Sequence, residues 1–269
     1  MPYRHAHWYI LALFPLAALA FWPSYVSTFS SAPWEYHAHG MTASAWLALL
    51  AAQSWSIHNN RRATHRAVGP AILILFPLFM AGGAGIFFGM ADRYAAGAPF
   101  QAMWGPELAW LDFAGVGMVA FFVYQGLKHR RDVRLHSGYM LATSIALLPP
   151  IFGRLTGIPL GIRGPEDFAR LHVGFQSANV LVAGIALMIA MRQKKAGKPF
   201  ALAGLATLAA ALLFEFPGGT AAWEGIYARI APLPSMPFIV LAGVVGVGIA
   251  AAGWIAGRRP SMGGALPAE

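Results

Sequence analysis

The residues best placed to do chemistry are histidines, and they stand in two matching brackets. Gln53-x4-His58-x6-His65 recurs as Gln125-x3-His129-x6-His136. The two histidine pairs share one offset, because 129 − 58 and 136 − 65 both equal 71. Other histidines form His37-Ala38-His39 and, much later, His172, and Glu35, Glu107 and Asp112 fall at the same predicted depth. Imidazole with carboxylate is a ligand set for zinc, copper or non-haem iron, and two imidazoles can saturate a haem. The chain has no cysteine, so thiolate nucleophiles, disulfides and iron–sulfur ligands are excluded.

Long apolar runs must position these groups. The 269 residues are 58% hydrophobic and 11% charged, far from the roughly 25% charge of a soluble domain. A spanning helix needs about 20 mostly apolar residues, since lipid offers no partner to a backbone amide. Eight such runs are read at 8–28, 39–57, 67–90, 107–127, 137–157, 170–191, 200–216 and 236–256. The fold class expected is therefore all-α, a polytopic membrane helix bundle of about eight transmembrane helices. Residues 1–257 form that single bundle, 34–157 its histidine-bracket core, and 258–269 a disordered tail. Ser31-Ala32-Pro33 is a poor cleavage context, so the first run reads as a span and not a signal peptide.

Charge sets the expected orientation. One face would hold 14 of the 19 basic residues, in the loops around Arg61, Arg130, Arg192 and Arg258. The other would hold Arg93, Arg154, Arg163, Arg170 and Arg229 with eight of the ten acids. Basic loops stay inside, which predicts cytoplasmic termini and a multipass protein of the bacterial inner membrane. The net charge of +9 is thus a topology signal spread over short loops, and no nucleic-acid partner is expected.

Each candidate group has a functional and a structural reading. His37, His39 and His172 open spans on the acidic face and could share one metal with Asp112 or Glu107, or they could be ordinary interfacial histidines. For His37 and His39 to serve one metal the chain must be irregular there, because i and i+2 diverge on a helix. His65 and His136 each start a span and could flank one haem, or all four bracket histidines could be helix-end residues that seat anionic lipid headgroups beside arginine. Asp112 and Arg154 lie within apolar runs, where ions pair or line a cavity, and a pair between neighbouring helices is expected. Spans two to five would form the functional core.

These elements carry a resemblance. His37-Ala38-His39 opening a span that reaches Gln53, His65-Arg66-Ala67-Val68-Gly69, the segment His136 to Thr143, and Arg154-Leu155 resemble a widespread group of bacterial multipass membrane proteins with paired loop histidines. The likeness covers about residues 34–157 and implies a membrane fold without an established activity. The His136/Met140 pair is distantly similar to a helix start in small haem-oxidase assembly membrane proteins.

Three functions follow. The first is a haem- or metal-binding protein with a redox or assembly role, holding haem b or a divalent metal, with a quinone or respiratory complex as partner. The second is a membrane-embedded metalloenzyme acting on a lipid or quinone. The third is a non-catalytic transporter or partner subunit embedded among membrane lipids. Spacing weighs against a two-haem chain on one helix pair, since 26 residues from His39 to His65 span about 39 Å, beyond a hydrocarbon core of about 30 Å.

Overall fold

The computed structural model describes residues 2–258, and among these every regular element is helical. In chain order they are α1 (Ala6–Ala20), α2 (Trp34–His58), α3 (Arg62–Val68), α4 (Ile72–Ala95), α5 (Pro99–Lys128), α6 (Val133–Ala142), α7 (Leu148–Leu155), α8 (Leu171–Gln193), α9 (Lys198–Leu213), α10 (Ala221–Ile230) and α11 (Ser235–Ala256). The protein is an all-α bundle. Six helical segments among the described residues are long and apolar enough to cross a membrane: 62–95, 99–128, 133–155, 165–193, 198–218 and 235–256.

The two segments missing from the expected eight are α1 and α2, for opposite reasons. α1 is apolar but has 15 residues, continued by a π-turn over Trp22–Val26. α2 has 25 residues, enough for about 37 Å, but interrupts its apolar surface with His37, His39, Thr42, Gln53, Ser54 and Ser56. The expected tail lies outside the described residues, apart from Arg258.

α4 and α5 are the central pair. α4 packs on α2, α5 and α11, and α5 also packs on α6, α9 and α11. The core between them is aromatic and aliphatic, with Trp46, Phe76, Phe79, Phe122, Val123 and Tyr139 almost fully buried. Gly82 sets how closely α2 approaches α4, because a Cβ there would stand 2.6 Å from Thr42 Oγ1 and 3.3 Å from His39 Cα. At the basic end, Asn60 (φ 60°) turns the chain from α2 into α3, and the Asp132 carboxylate caps α6 by accepting from Arg134 N and Leu135 N. Arg130 ties two helix ends together by donating to Leu127 O (3.1 Å) and Trp254 O (2.7 Å).

One buried polar contact crosses the middle of the core. Trp46 Nε1 donates to Thr143 Oγ1 at 3.0 Å, and Thr143 donates in turn to Met140 O at 2.6 Å. Trp46→Phe keeps most of the ring but removes that donor. The expected cost is about 1 kcal/mol, the net worth of one hydrogen bond. A lowered unfolding midpoint in mixed detergent micelles checks it, and no change would mean that the bond contributes nothing.

Candidate functional site in the bundle core

Three of the expected outer residues turn away from one another. α2 is regular helix from Trp34 because Pro33, extended at φ −58° and ψ 149°, ends the preceding loop cleanly. His37 and His39 therefore point to different sides, contrary to the irregular opening that a shared metal needs. His37 Nδ1 shares a hydrogen bond with the Tyr25 hydroxyl at 2.8 Å. His39 faces α4, its ring 6.4 Å from Phe79. His172 is on α8, which packs on α7 and α9, and its Nε2 bonds Glu215 Oε1 at 2.5 Å. Glu215 sits on a π-turn that closes α9, and Gln176 donates to the same oxygen at 2.5 Å. The expected cavity shared by His37, His39 and His172 is not formed. Among the described residues no group of three or more histidines and carboxylates could hold a metal ion.

Asp112 and Arg154 also differ from expectation, since they make no direct ion pair. The Arg154 guanidinium turns back to Pro150 O at 3.0 Å and lies over the Phe21 ring at 4.3 Å. Each nevertheless feels the other's charge, and Tyr36 is a further neighbour of Arg154. Asp112 Oδ2, Tyr36 Oη, His39 Nδ1 and, nearer the helix start, Glu107 Oε2 are shielded from solvent without a hydrogen-bond partner. Unpartnered buried polar atoms are costly and mark places that need explanation. Here they gather in the half of the bundle towards the acidic end.

The bracket histidines sort into two kinds. His58 Nδ1 and Nε2 meet Ser54 O (2.8 Å) and Pro2 O (3.1 Å), which anchors the N-terminal segment, with buried His7 beside it at 6.4 Å between ring centroids. His129 stacks on Tyr139, tilted by 19°. These two are packing residues. His65 and His136 instead face each other, with ring centroids 6.5 Å apart and planes perpendicular.

The bonds behind that pair fix its protons. His136 Nδ1 lies 2.8 Å from Gly126 O, a pure acceptor, so its proton is on Nδ1 and Nε2 keeps a lone pair. Turning the Gln53 amide so that its oxygen accepts from Gly69 N–H at 3.2 Å satisfies every neighbour, and brings its nitrogen 2.6 Å from His65 Nδ1 and 3.1 Å from His65 O. The Gln53 backbone carbonyl lies farther from the same ring nitrogen, at 3.4 Å. In that orientation His65 Nδ1 accepts, which assigns its proton to Nε2. One ring thus keeps a donor on Nε2 and the other an acceptor, in rings 6.5 Å apart with no direct hydrogen bond between them. A metal or haem clamp needs lone pairs on both Nε2 atoms, each backed by an Nδ1–H donor, and only His136 has that arrangement.

A single helix face connects these groups. His39, Trp46 and Gln53 recur every seven residues on α2. His39 lies towards Arg154, Trp46 bonds Thr143, and Gln53 backs His65 of the His65–His136 pair. Fourteen residues of rise put the two ends of this stripe about 21 Å apart. Gln125 Oε1, shielded and unpartnered, lies on α5 beside Gly126 at the level of the histidine pair. The sequence reading missed Tyr36 and Thr143, although the seven-residue period on α2 was available to find the stripe itself. A separate apolar groove between α5 and α9, lined by Ala114, Gly117, Met118, Phe121, Leu202 and Ala206, offers no polar group for a quinone or headgroup.

No known protein family, curated protein or solved structure matches the chain.

Proposed function

We propose that this protein is a membrane carrier that relays protons through its bundle core. The observation that supports this reading is the α2 stripe. It strings His39, Trp46 and Gln53 along one face, with Tyr36 and the Asp112 and Arg154 of neighbouring helices towards one end and the His65–His136 pair at the other. Ionisable residues within a membrane are expensive, and proton relays are one established use of them. Histidine donor–acceptor pairs are suited to passing protons near neutral pH. The basic loops favour an inner-membrane multipass topology with the histidine pair on the cytoplasmic side and both termini inside. On that reading α1 with its π-turn and α2 complete eight crossings, their polar faces covered by neighbouring helices and their outer faces by membrane lipids.

The test is proton uptake by proteoliposomes of the purified chain, driven by a potassium diffusion potential. Uptake above that of empty vesicles is expected, and its absence would sink the reading.

A second reading keeps a haem b or divalent metal between His65 and His136, in a redox or assembly role towards a quinone or respiratory complex. The 6.5 Å ring spacing favours it, since two bonds of about 2 Å plus half a ring on each side come to about 6 Å. It requires the Gln53 amide to rotate away from His65 Nδ1. The same preparation decides: the relay reading expects no Soret band and less than stoichiometric metal. A coloured protein with one haem per chain would replace it.

A further inference from the structure

Helix α10 lies across the acidic end of the bundle and packs on α4 and α5. It is amphipathic. Glu224, Ile226, Ala228 and Arg229 are exposed, while Tyr227 is 1% exposed and points inward. We infer that α10 is the outer gate of the polar core, with Tyr227 as its plug. This rests on the relay reading and specifies where that relay opens to the outside.

The slot that receives Tyr227 is built by absence of side chains. Gly105 leaves room for the ring, and a Cβ there would lie 3.3 Å from Tyr227 Cε1. Phe87, Tyr94 and Ala109 complete the slot, with ring centroids 5.8 Å and 5.2 Å from Tyr227 for the two aromatics. Gly105, Ala109 and Asp112 follow at i, i+4 and i+7 on one face of α5, so the slot leads to Asp112 over about 10 Å of helix rise. Burial pushes the Tyr227 phenol up from its ordinary range, and the Asp112 carboxylate adds to this. The plug therefore stays neutral at physiological pH and can sit in an apolar slot above a charged group.

The attachments of α10 suit a moving part. Two side-chain bonds hold it to the core helices: Trp223 Nε1 to Pro106 O (2.7 Å) and Tyr94 Oη to Glu224 Oε1 (3.2 Å). The second is exposed and correspondingly weak. Gly218-Gly219 precedes the helix and Pro232-Leu233-Pro234 follows it, so short stiff and flexible segments meet at its ends.

The absence of native cysteine makes the test clean. Ala109→Cys places one thiol beneath Tyr227, and an impermeant cationic thiol reagent is applied from outside. Labelling is expected to be slow, and at least about tenfold faster when Tyr227→Ala is added, as for a site exposed by local opening. Tyr227→Phe keeps the ring and is expected to keep labelling slow, which separates loss of the plug from general loosening. Labelling no faster with Tyr227→Ala would overturn the gate. In a second arm, Tyr94→Cys and Glu224→Cys are joined by a cleavable bifunctional thiol cross-linker. Proton uptake is expected to stop and to return on cleavage, and full uptake in the cross-linked chain would also overturn the gate. If the wild-type chain takes up no protons, the relay reading falls and the labelling arm alone judges α10.

Discussion

Proteoliposomes carrying Asp112→Asn are expected to take up protons about a hundredfold more slowly than wild type, the low end of what a positioned acid–base group contributes. Asn has the size and shape of Asp, with an NH2 donor in place of one carboxylate oxygen, but it cannot release a proton. The Asp112 Oδ2 atom has no partner to lose, so the exchange breaks no hydrogen bond that the packing depends on. Arg154 does lose a nearby opposite charge. Its guanidinium retains Pro150 O and the Phe21 face, which limits the cost of keeping it charged within the bundle. The variant should therefore fold, with a thermal midpoint in detergent close to that of the wild type. Asp112→Glu, which restores an acid one methylene further out, is expected to recover part of the rate. Uptake by a folded Asp112→Asn chain at the wild-type rate would remove Asp112 from the path, and with it the reason for reading the outer cluster as functional.

How far the sequence reveals this arrangement depends on the range of the contacts. The helices are legible because each apolar run decides its own structure, and six of the eight runs give helices long and apolar enough to cross a membrane. α2 is harder, since its polar residues make it resemble a soluble helix while its inward face meets α4. The offset of 71 residues brings His65 and His136 into register as equivalent helix starts, and the rings do meet. Their opposite tautomers cannot be read from the offset, because they depend on which group backs each ring. One is a side-chain amide twelve residues earlier and the other a backbone carbonyl ten residues earlier. The partner of His172 is 43 residues away on a π-turn, a geometry with no local sequence signature. His37 and His39 look like a pair only until the helix is known to start at Trp34. The expected Asp112–Arg154 pair failed for a similar reason, as Arg154 found a carbonyl within its own turn and the face of Phe21 just after α1.

The inner pair carries the second large effect. Nitrogen-15 spectra of the labelled protein in lipid at neutral pH are expected to find His65 protonated on Nε2 and His136 on Nδ1. His136→Gln removes the titratable ring beside His65 and is expected to slow uptake about a hundredfold, the low end of the range for loss of one acid–base group. Gln53→Leu tests the cause of the asymmetry. Without the amide donor, His65 Nδ1 is free to take the proton and donate it to the Gln53-position backbone carbonyl, now 3.4 Å away and needing only a small shift. Both Nε2 atoms would then offer lone pairs across the gap. The variant should lose relay activity and bind zinc at least about tenfold more tightly than wild type, since the groups behind a metal-ligating histidine alter affinity by about 10–100-fold. Opposite movement of the two readouts is the signature, because a merely loosened helix end would lower both. If His65 in the wild type already carries its proton on Nδ1, the pair is poised for metal, and the relay reading gives way to the metal one at this site.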